Sequence, residues 1–142
     1  MSSTQPRIGA LLESYSAAIR EKDIERLMAL YSSDIVYYDL VPPLRYSGFD
    51  AIRRNFLRWF ESWQSPIGVE IRDRTILTSG DTATAFMLHR TSGILKDGRA
   101  VDYWVRVTVC AQRSDRGWLI AHEHVSLPVD FASGRAIINL VP

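Results

Sequence analysis

The sequence predicts an α+β fold, a cone-shaped barrel in which three N-terminal helices pack in the concave face of a strongly curved, mostly antiparallel sheet. Three observations carry this. Apolar residues recur at helical spacing through the first half of the chain, and from Ile67 onward the period changes to two. Helices followed by strands, rather than alternating with them, indicate α+β rather than βαβ units. The second half is also punctuated by three turns, Ser79-Gly80-Asp81, Lys96-Asp97-Gly98 and Ser114 to Gly117, which join four strands into an antiparallel meander. Two of these strands exceed ten residues, so the sheet has to twist and curl. Helices that cover its concave face then leave a closed-ended cone with a cavity.

The first helix is expected from about Pro6 to Arg20. Ile8, Leu11, Leu12, Tyr15, Ala18 and Ile19 make one apolar stripe, and Pro6 sits in the first turn, where its missing N–H costs nothing. Thr4 or Gln5 is the expected cap. Asp23 reads as the N-cap of a shorter helix with Ile24, Leu27, Met28 and Tyr31 on its inner face, ended by Ser32, Ser33 and Asp34. Residues 35–41 are rich in β-branched and aromatic types and form a strand that Pro42 and Pro43 stop. A third helix follows Ser47-Gly48. Phe49, Ile52, Phe56, Trp59, Phe60 and Trp63 form its broad apolar face, with Arg53, Arg54, Arg58 and Glu61 toward solvent, and Pro66 bars its continuation. The expected strands are Ile67–Thr78, Thr82–Ile94, Arg99–Gln112 and Trp118–Ser126.

At 142 residues the chain has the length of one domain, which typically runs roughly 100 to 200 residues. It is long enough to bury a core without staples. Its 46% hydrophobic and 23% charged residues are those of a soluble globular protein. A net charge of +1 creates no field that favours nucleic acid or anionic lipid. The lone Cys110 forms no internal disulfide and reads as a buried structural thiol. Met1 to Arg7 lacks the charged start and apolar stretch of a signal peptide, and no apolar run approaches the about 20 residues that span a bilayer. A cytoplasmic location is therefore the expectation.

The order of elements, together with several segments, resembles a known family. Tyr15-Ser-Ala-Ala-Ile-Arg-Glu-Lys-Asp23, then Tyr31-Ser-Ser-Asp34 and the strand ending Tyr38-Asp39, is similar to the start of ketosteroid isomerases and SnoaL-type cyclases, and Tyr46-Ser-Gly-Phe-Asp-Ala-Ile-Arg53 continues the match. Gly117-Trp-Leu-Ile-Ala-His-Glu-His-Val-Ser126 resembles the ending of the SnoaL-like branch of the nuclear-transport-factor-2-like superfamily. The same ending is similar to the association domain of calcium/calmodulin-dependent kinase II. The resemblance spans about residues 8–128 and implies the cone fold, a homodimer and a pocket for a hydrophobic small molecule. Fold alone does not fix function, because this fold hosts enzymes, scaffolds and transport factors.

By this resemblance Asp39 falls on the catalytic-base position and Tyr15 on that of the oxyanion-hole tyrosine. Asp39 shares a strand face with Ile35, Tyr37 and Val41, where a carboxylate needs a partner or a task. Its alternative role is to bond the following loop or an arginine such as Arg45. Tyr15 is alternatively a core tyrosine on the helix stripe. The second oxyanion partner of the isomerases has no counterpart, because Val105 to Cys110 carries no acid and Asp102 comes too early. Strict alternation puts His122 and His124 on one face with Trp118, Ile120 and Ser126, opposite Glu123. If that face is concave, the imidazoles act as acid or base near neutral pH, with His122 catalytic and His124 ligand-binding, or they hydrogen-bond neighbours. A metal would need a third ligand, for which His89 is the candidate, and no metal site is assigned. The favoured register places Arg106 inside, where it would recognise a ligand oxygen; the alternative puts Val107 and Val109 there.

Tyr37, Phe56, Trp59 and Trp104, with Tyr31, Phe60 and Trp118, supply an aromatic wall. No phosphate loop, dinucleotide fingerprint or zinc spacing is found, and no cofactor is expected. The tail from Leu127 carries Phe131, Ile137, Ile138 and Leu140, and is expected to pack across the cone or a partner subunit. Three functions follow: an isomerase- or cyclase-type enzyme that moves a proton on a hydrophobic carbonyl compound, a non-catalytic binder, or an oligomerisation module.

Overall fold

The computed structural model describes residues 3–142; Met1 and Ser2, where the segment read for a leader begins, lie outside them. The order is α1 (Thr4–Glu21), α2 (Ile24–Met28), β1 (Tyr31–Tyr38), β2 (Tyr46–Ser47), α3 (Phe49–Glu61), β3 (Gly68–Ser79), β4 (Thr82–Ile94), β5 (Ala100–Ser114), β6 (Gly117–Ser126), β7 (Val129–Asp130) and β8 (Arg135–Ala136). One six-stranded sheet runs β2-β1-β6-β5-β4-β3, and β7 and β8 form a separate hairpin. All pairs are antiparallel except β1 with β6. The three helices and the large, mostly antiparallel curved sheet are the α+β cone that the periodicities predict.

The stripe of α1 is buried from Ile8 to Ile19 as its spacing requires. The helix stops at Lys22, whose left-handed backbone (φ 54°) returns its N–H to the carbonyls of Ala18 and Ile19. Asp23 caps α2, accepting the Arg26 N–H at 3.1 Å. This helix is shorter than expected. It ends at Met28, and Tyr31 opens β1 instead of closing a helical face, so that Ser32, Ser33 and Asp34 lie within the strand. The cap of α1 also differs, because Ser3 holds that position without a side-chain bond.

Three register irregularities interrupt the sheet, the first where β1 slips against β6 between Tyr31 and Val36. β3 slips register against β4 between Arg72 and Thr75, where Asp73 adopts φ 56°. β6 slips against β5, where Cys110 pairs with His122 but Ala111 pairs with Ile120, leaving Ala121 as an extra residue. The chain leaving α3 crosses β4 at Gly93 (φ 151°), where a Cβ would lie 2.7 Å from Ser65 Oγ and 3.0 Å from both the Pro66 carbonyl and the Trp63 ring. The Ser65 hydroxyl and the Ile94 N–H hydrogen-bond here at 2.8 Å.

In the single chain large apolar side chains of the tail lie at the surface. Phe131 is 95% exposed, and Ile138, Leu140 and Val141 are exposed as well. Among the described residues no helix is long and apolar enough to cross a membrane.

Gly93→Ala should therefore destabilise the protein by about 1–3 kcal/mol, through positive-φ strain and crowding against the Ser65 hydroxyl, the Pro66 carbonyl and the Trp63 ring. A chemical denaturation midpoint equal to that of wild type would contradict this.

Candidate functional site

The concave side of the sheet and α1 and α3 enclose a mostly apolar cavity of about 450 Å³. Such a volume suits a small organic molecule, since ligand pockets run from about 300 to 1,000 Å³. Tyr15 and Ile19 of α1, Tyr37 of β1, Asn55, Phe56 and Trp59 of α3, and inward residues of β4 and β5 line it.

Asp39 follows the last residue of β1, and the alternation Ile35, Tyr37, Asp39 carries its half-buried carboxylate to the cavity. Its Oδ1 accepts the Leu40 N–H at 2.7 Å, which is the loop contact anticipated as its structural role. Its Oδ2 accepts the Asn55 amide at 2.8 Å, and the Asn55 carbonyl oxygen in turn accepts Arg58 Nη2 at 3.3 Å. A guanidinium thus orients an amide that orients a carboxylate. Arg58 is solvent-exposed as expected, yet it reaches the cavity wall. Asn55 was readable in principle, being a polar residue on the apolar stripe between Ile52 and Trp59.

Behind the wall lies Glu123, with no exposed surface. Tyr15 donates to its Oε2 at 2.9 Å and Tyr31 to its Oε1 at 2.7 Å, while the Tyr37 hydroxyl interacts with both Glu123 and Tyr15. Burial pushes the Glu123 carboxyl up to about 7, against the pull of the tyrosine hydrogen bonds. Burial, and then the charge of Glu123, hold Tyr15, Tyr31 and Tyr37 well above the usual phenol range.

The extra residue at Ala121 explains why Glu123 faces inward. Trp118 and Ile120 point into the core as strict alternation predicts, but beyond the bulge Glu123 and Val125 take the inner positions. The expected inward placement of His122 and His124 is therefore corrected. Both lie on the outer face against Tyr38, with ring centroids 4.8 and 5.3 Å away, and His122 Nδ1 sits 2.7 Å from the Val36 carbonyl. Arg106 is corrected with them. It does share their face, pairing with Ser126 while Thr108 pairs with His124, but that face is the outer one, and Val105, Val107 and Val109 point inward. Trp104 is likewise outside, under the guanidinium of Arg72 at 5.0 Å. The run Trp-Leu-Ile-Ala at 118–121 was the available signal, since four consecutive apolar residues break alternation.

Tyr15, Tyr37, Asp39, Phe56 and Trp59 are thus brought together at the cavity, while Arg106, His122, His124 and Trp104 are not. The wall also holds Tyr103, Thr91, Trp63 and His89. Trp63 Nε1 and His89 Nε2 are buried without a hydrogen-bond partner among the described residues. Burial holds His89 down to about 4, so it is neutral near pH 7. Among the described residues no three His, Cys, Asp or Glu side chains converge as metal ligands.

The model of the SnoaL-like domain family matches residues 8–130. The chain belongs to this SnoaL-like family. A nuclear-transport-factor-2-like protein of unknown function from Pseudomonas putida superposes with a TM-score of 0.91 at 29% identity, covering 100% of this chain and 99% of its own. A ketosteroid isomerase-like protein from Erwinia carotovora atroseptica (23% identity, TM-score 0.77, 89% and 97% covered) shares the fold. So does a nuclear transport factor 2 superfamily protein from Salmonella enterica serovar Typhimurium (19%, 0.79, 93% and 96%). No curated protein matches the sequence at a significant level.

Glu123 and His89 give this SnoaL-like domain opposed pH dependences. Glu123 binds its proton more tightly folded (about 7) than unfolded (4.5), so its stabilising contribution is full at low pH and is lost as pH rises to about 7. His89 binds its proton less tightly folded (about 4) than unfolded (6.5), so stability is lost as pH falls through that window. Where the windows overlap, the slopes cancel. Glu123→Gln should expose a stability that rises with pH up to 6.5, and His89→Phe one that falls with pH up to about 7. Each change is on the order of 3 kcal/mol. Urea melts of both variants across this range, flat like wild type, would remove the basis for it.

Proposed function

We propose that the cone binds a compact, largely apolar molecule bearing a carbonyl group, and that Asp39 takes a proton from the carbon beside that carbonyl and returns it elsewhere on the molecule. The observation that carries this reading is a carboxylate presented to an apolar cavity of about 450 Å³ in an orientation set by Asn55 and Arg58. A base placed in this way is what proton abstraction requires, and the oxygen that becomes negative needs a donor within hydrogen-bond reach. Tyr15 is the wall residue proposed for that oxygen. Trp63 Nε1 and His89 Nε2, which have no hydrogen-bond partner among the described residues, supply further polar contacts to a ligand. The local bonds that satisfy Asp39 favour a second reading, in which the same cavity binds without turnover.

The two readings separate in one experiment. Cyclic enones, polyketide-like aromatics and small carboxylic acids are screened by thermal shift, because a bound ligand raises the unfolding midpoint by mass action. The hits are then assayed for turnover. Asp39→Asn should keep the thermal shift and lose ~10²–10⁴-fold in kcat. Undiminished turnover would remove Asp39 as the base, and hits bound but not transformed by wild type would establish the binder.

We also propose a homodimer that covers the tail. Val129, Phe131, Ile138, Leu140 and Val141 are each more than half exposed, an apolar surface that a partner subunit would bury. Deleting residues 129–142 should drop the sedimenting mass from that of a dimer to that of a single truncated chain. A wild-type monomer, or a truncated form that still sediments as a dimer, would count against it.

A further inference from the structure

Glu123 lies behind the wall and takes no direct part in the proposed reaction. It is a fully buried acid whose two oxygens have different neighbours. Tyr31, on Oε1, is itself fully buried, does not line the cavity, and among the described residues hydrogen-bonds no group but Glu123. Tyr15, on Oε2, lines the cavity. A carboxylate only accepts hydrogen bonds, so while Glu123 is ionised Tyr15 spends its O–H on it and shows the cavity an oxygen lone pair. A proton added to the carboxyl must go where a tyrosine can turn. Among the described residues Tyr31 has no other acceptor, so the proton belongs on Oε2. Glu123 then donates to Tyr15, and the phenol O–H is released. Tyr37 adjoins both groups and also lines the cavity, so a handover between the two tyrosines still ends on the wall.

We infer that Glu123 is the positioning residue that decides whether Tyr15 offers the cavity an acceptor or a donor, and that the protonated form is the one that receives a carbonyl or enolate oxygen. This rests on the reading of the cavity as the site. The groups that face Glu123 are consistent with it. Tyr15 comes from α1, Tyr31 and Tyr37 from β1, and Asp39 from the loop beyond, while β5 presents only Val107 and Val109. His89 of β4 stands one ring further out, 5.8 Å from Tyr15. The charge on Asp39 opposes ionisation of Glu123. Proton abstraction by Asp39 moves that negative charge onto the ligand oxygen at Tyr15. The total charge of the site is unchanged, and the carboxyl proton stays in place.

The test needs no ligand and stands apart from the turnover assay. Wild type is labelled with ¹³C at the Glu carboxyl and at tyrosine Cζ and titrated through neutral pH, with resonances assigned through Tyr15→Phe and Tyr31→Phe. The expected result is that Glu123 titrates there and that the Tyr15 or Tyr37 Cζ signal moves at the same midpoint, while Tyr31 moves less. In Glu123→Gln the tyrosine response should vanish. A Glu123 that stays ionised throughout, Tyr15 and Tyr37 signals that do not move with it, or a response that survives Glu123→Gln would each overturn the inference. If Glu123→Gln does not fold, the wild-type titration still decides.

Discussion

The burial of one carboxyl group constrains much of this fold. Glu123 joins three elements that are far apart in sequence, because Tyr15 comes from α1, Tyr31 from the start of β1, and the acid itself from β6. An acid without exposed surface is costly unless its oxygens are satisfied. The two hydrogen bonds therefore fix how deeply α1 sits in the sheet and how β1 lies alongside β6. The Tyr31 hydroxyl reaches Oε1 from the first position of β1. The wall of the cavity is the outer surface of this arrangement.

The two polar features of the cavity differ in kind. Asp39 is held by a chain that ends in solvent, from Arg58 through Asn55, so it keeps contact with water and with the open end of the cone. The Glu123 group is closed, and the hydroxyls of Tyr15 and Tyr37 stand between it and the cavity. A molecule in the cavity therefore meets a carboxylate at one side and a phenol backed by a second acid at another, with aromatic and aliphatic surface between.

Much of this was legible in the sequence, because it depends on local rules. The α1 stripe, the Asp23 cap, the limits of β4 and the inward run Ile35, Tyr37, Asp39 follow from periodicity and turn chemistry. The candidates Tyr15 and Asp39 came from resemblance, and the fold brings both to the cavity. The residues misplaced are those whose side depends on a single unpaired residue in a strand. Arg106, His122 and His124 were correctly grouped on one face, but which face is concave could not be read past Ala121. Glu123 alternates with the two histidines, so its side depends on the same residue. Asn55 carries no signal of its own, because one polar residue on an apolar stripe is ordinary until its partner Asp39 is known.

The bulge has a further consequence. The wall of the cone depends on a count of residues as much as on their kind. Two strands of the same composition that differ by one residue before position 122 would enclose either a lone acid or a pair of imidazoles, over an unchanged fold. A single-residue insertion or deletion at this turn of the sheet is thus a short route between an acidic and a basic interior. Comparison of proteins with this architecture by substitution alone would miss it.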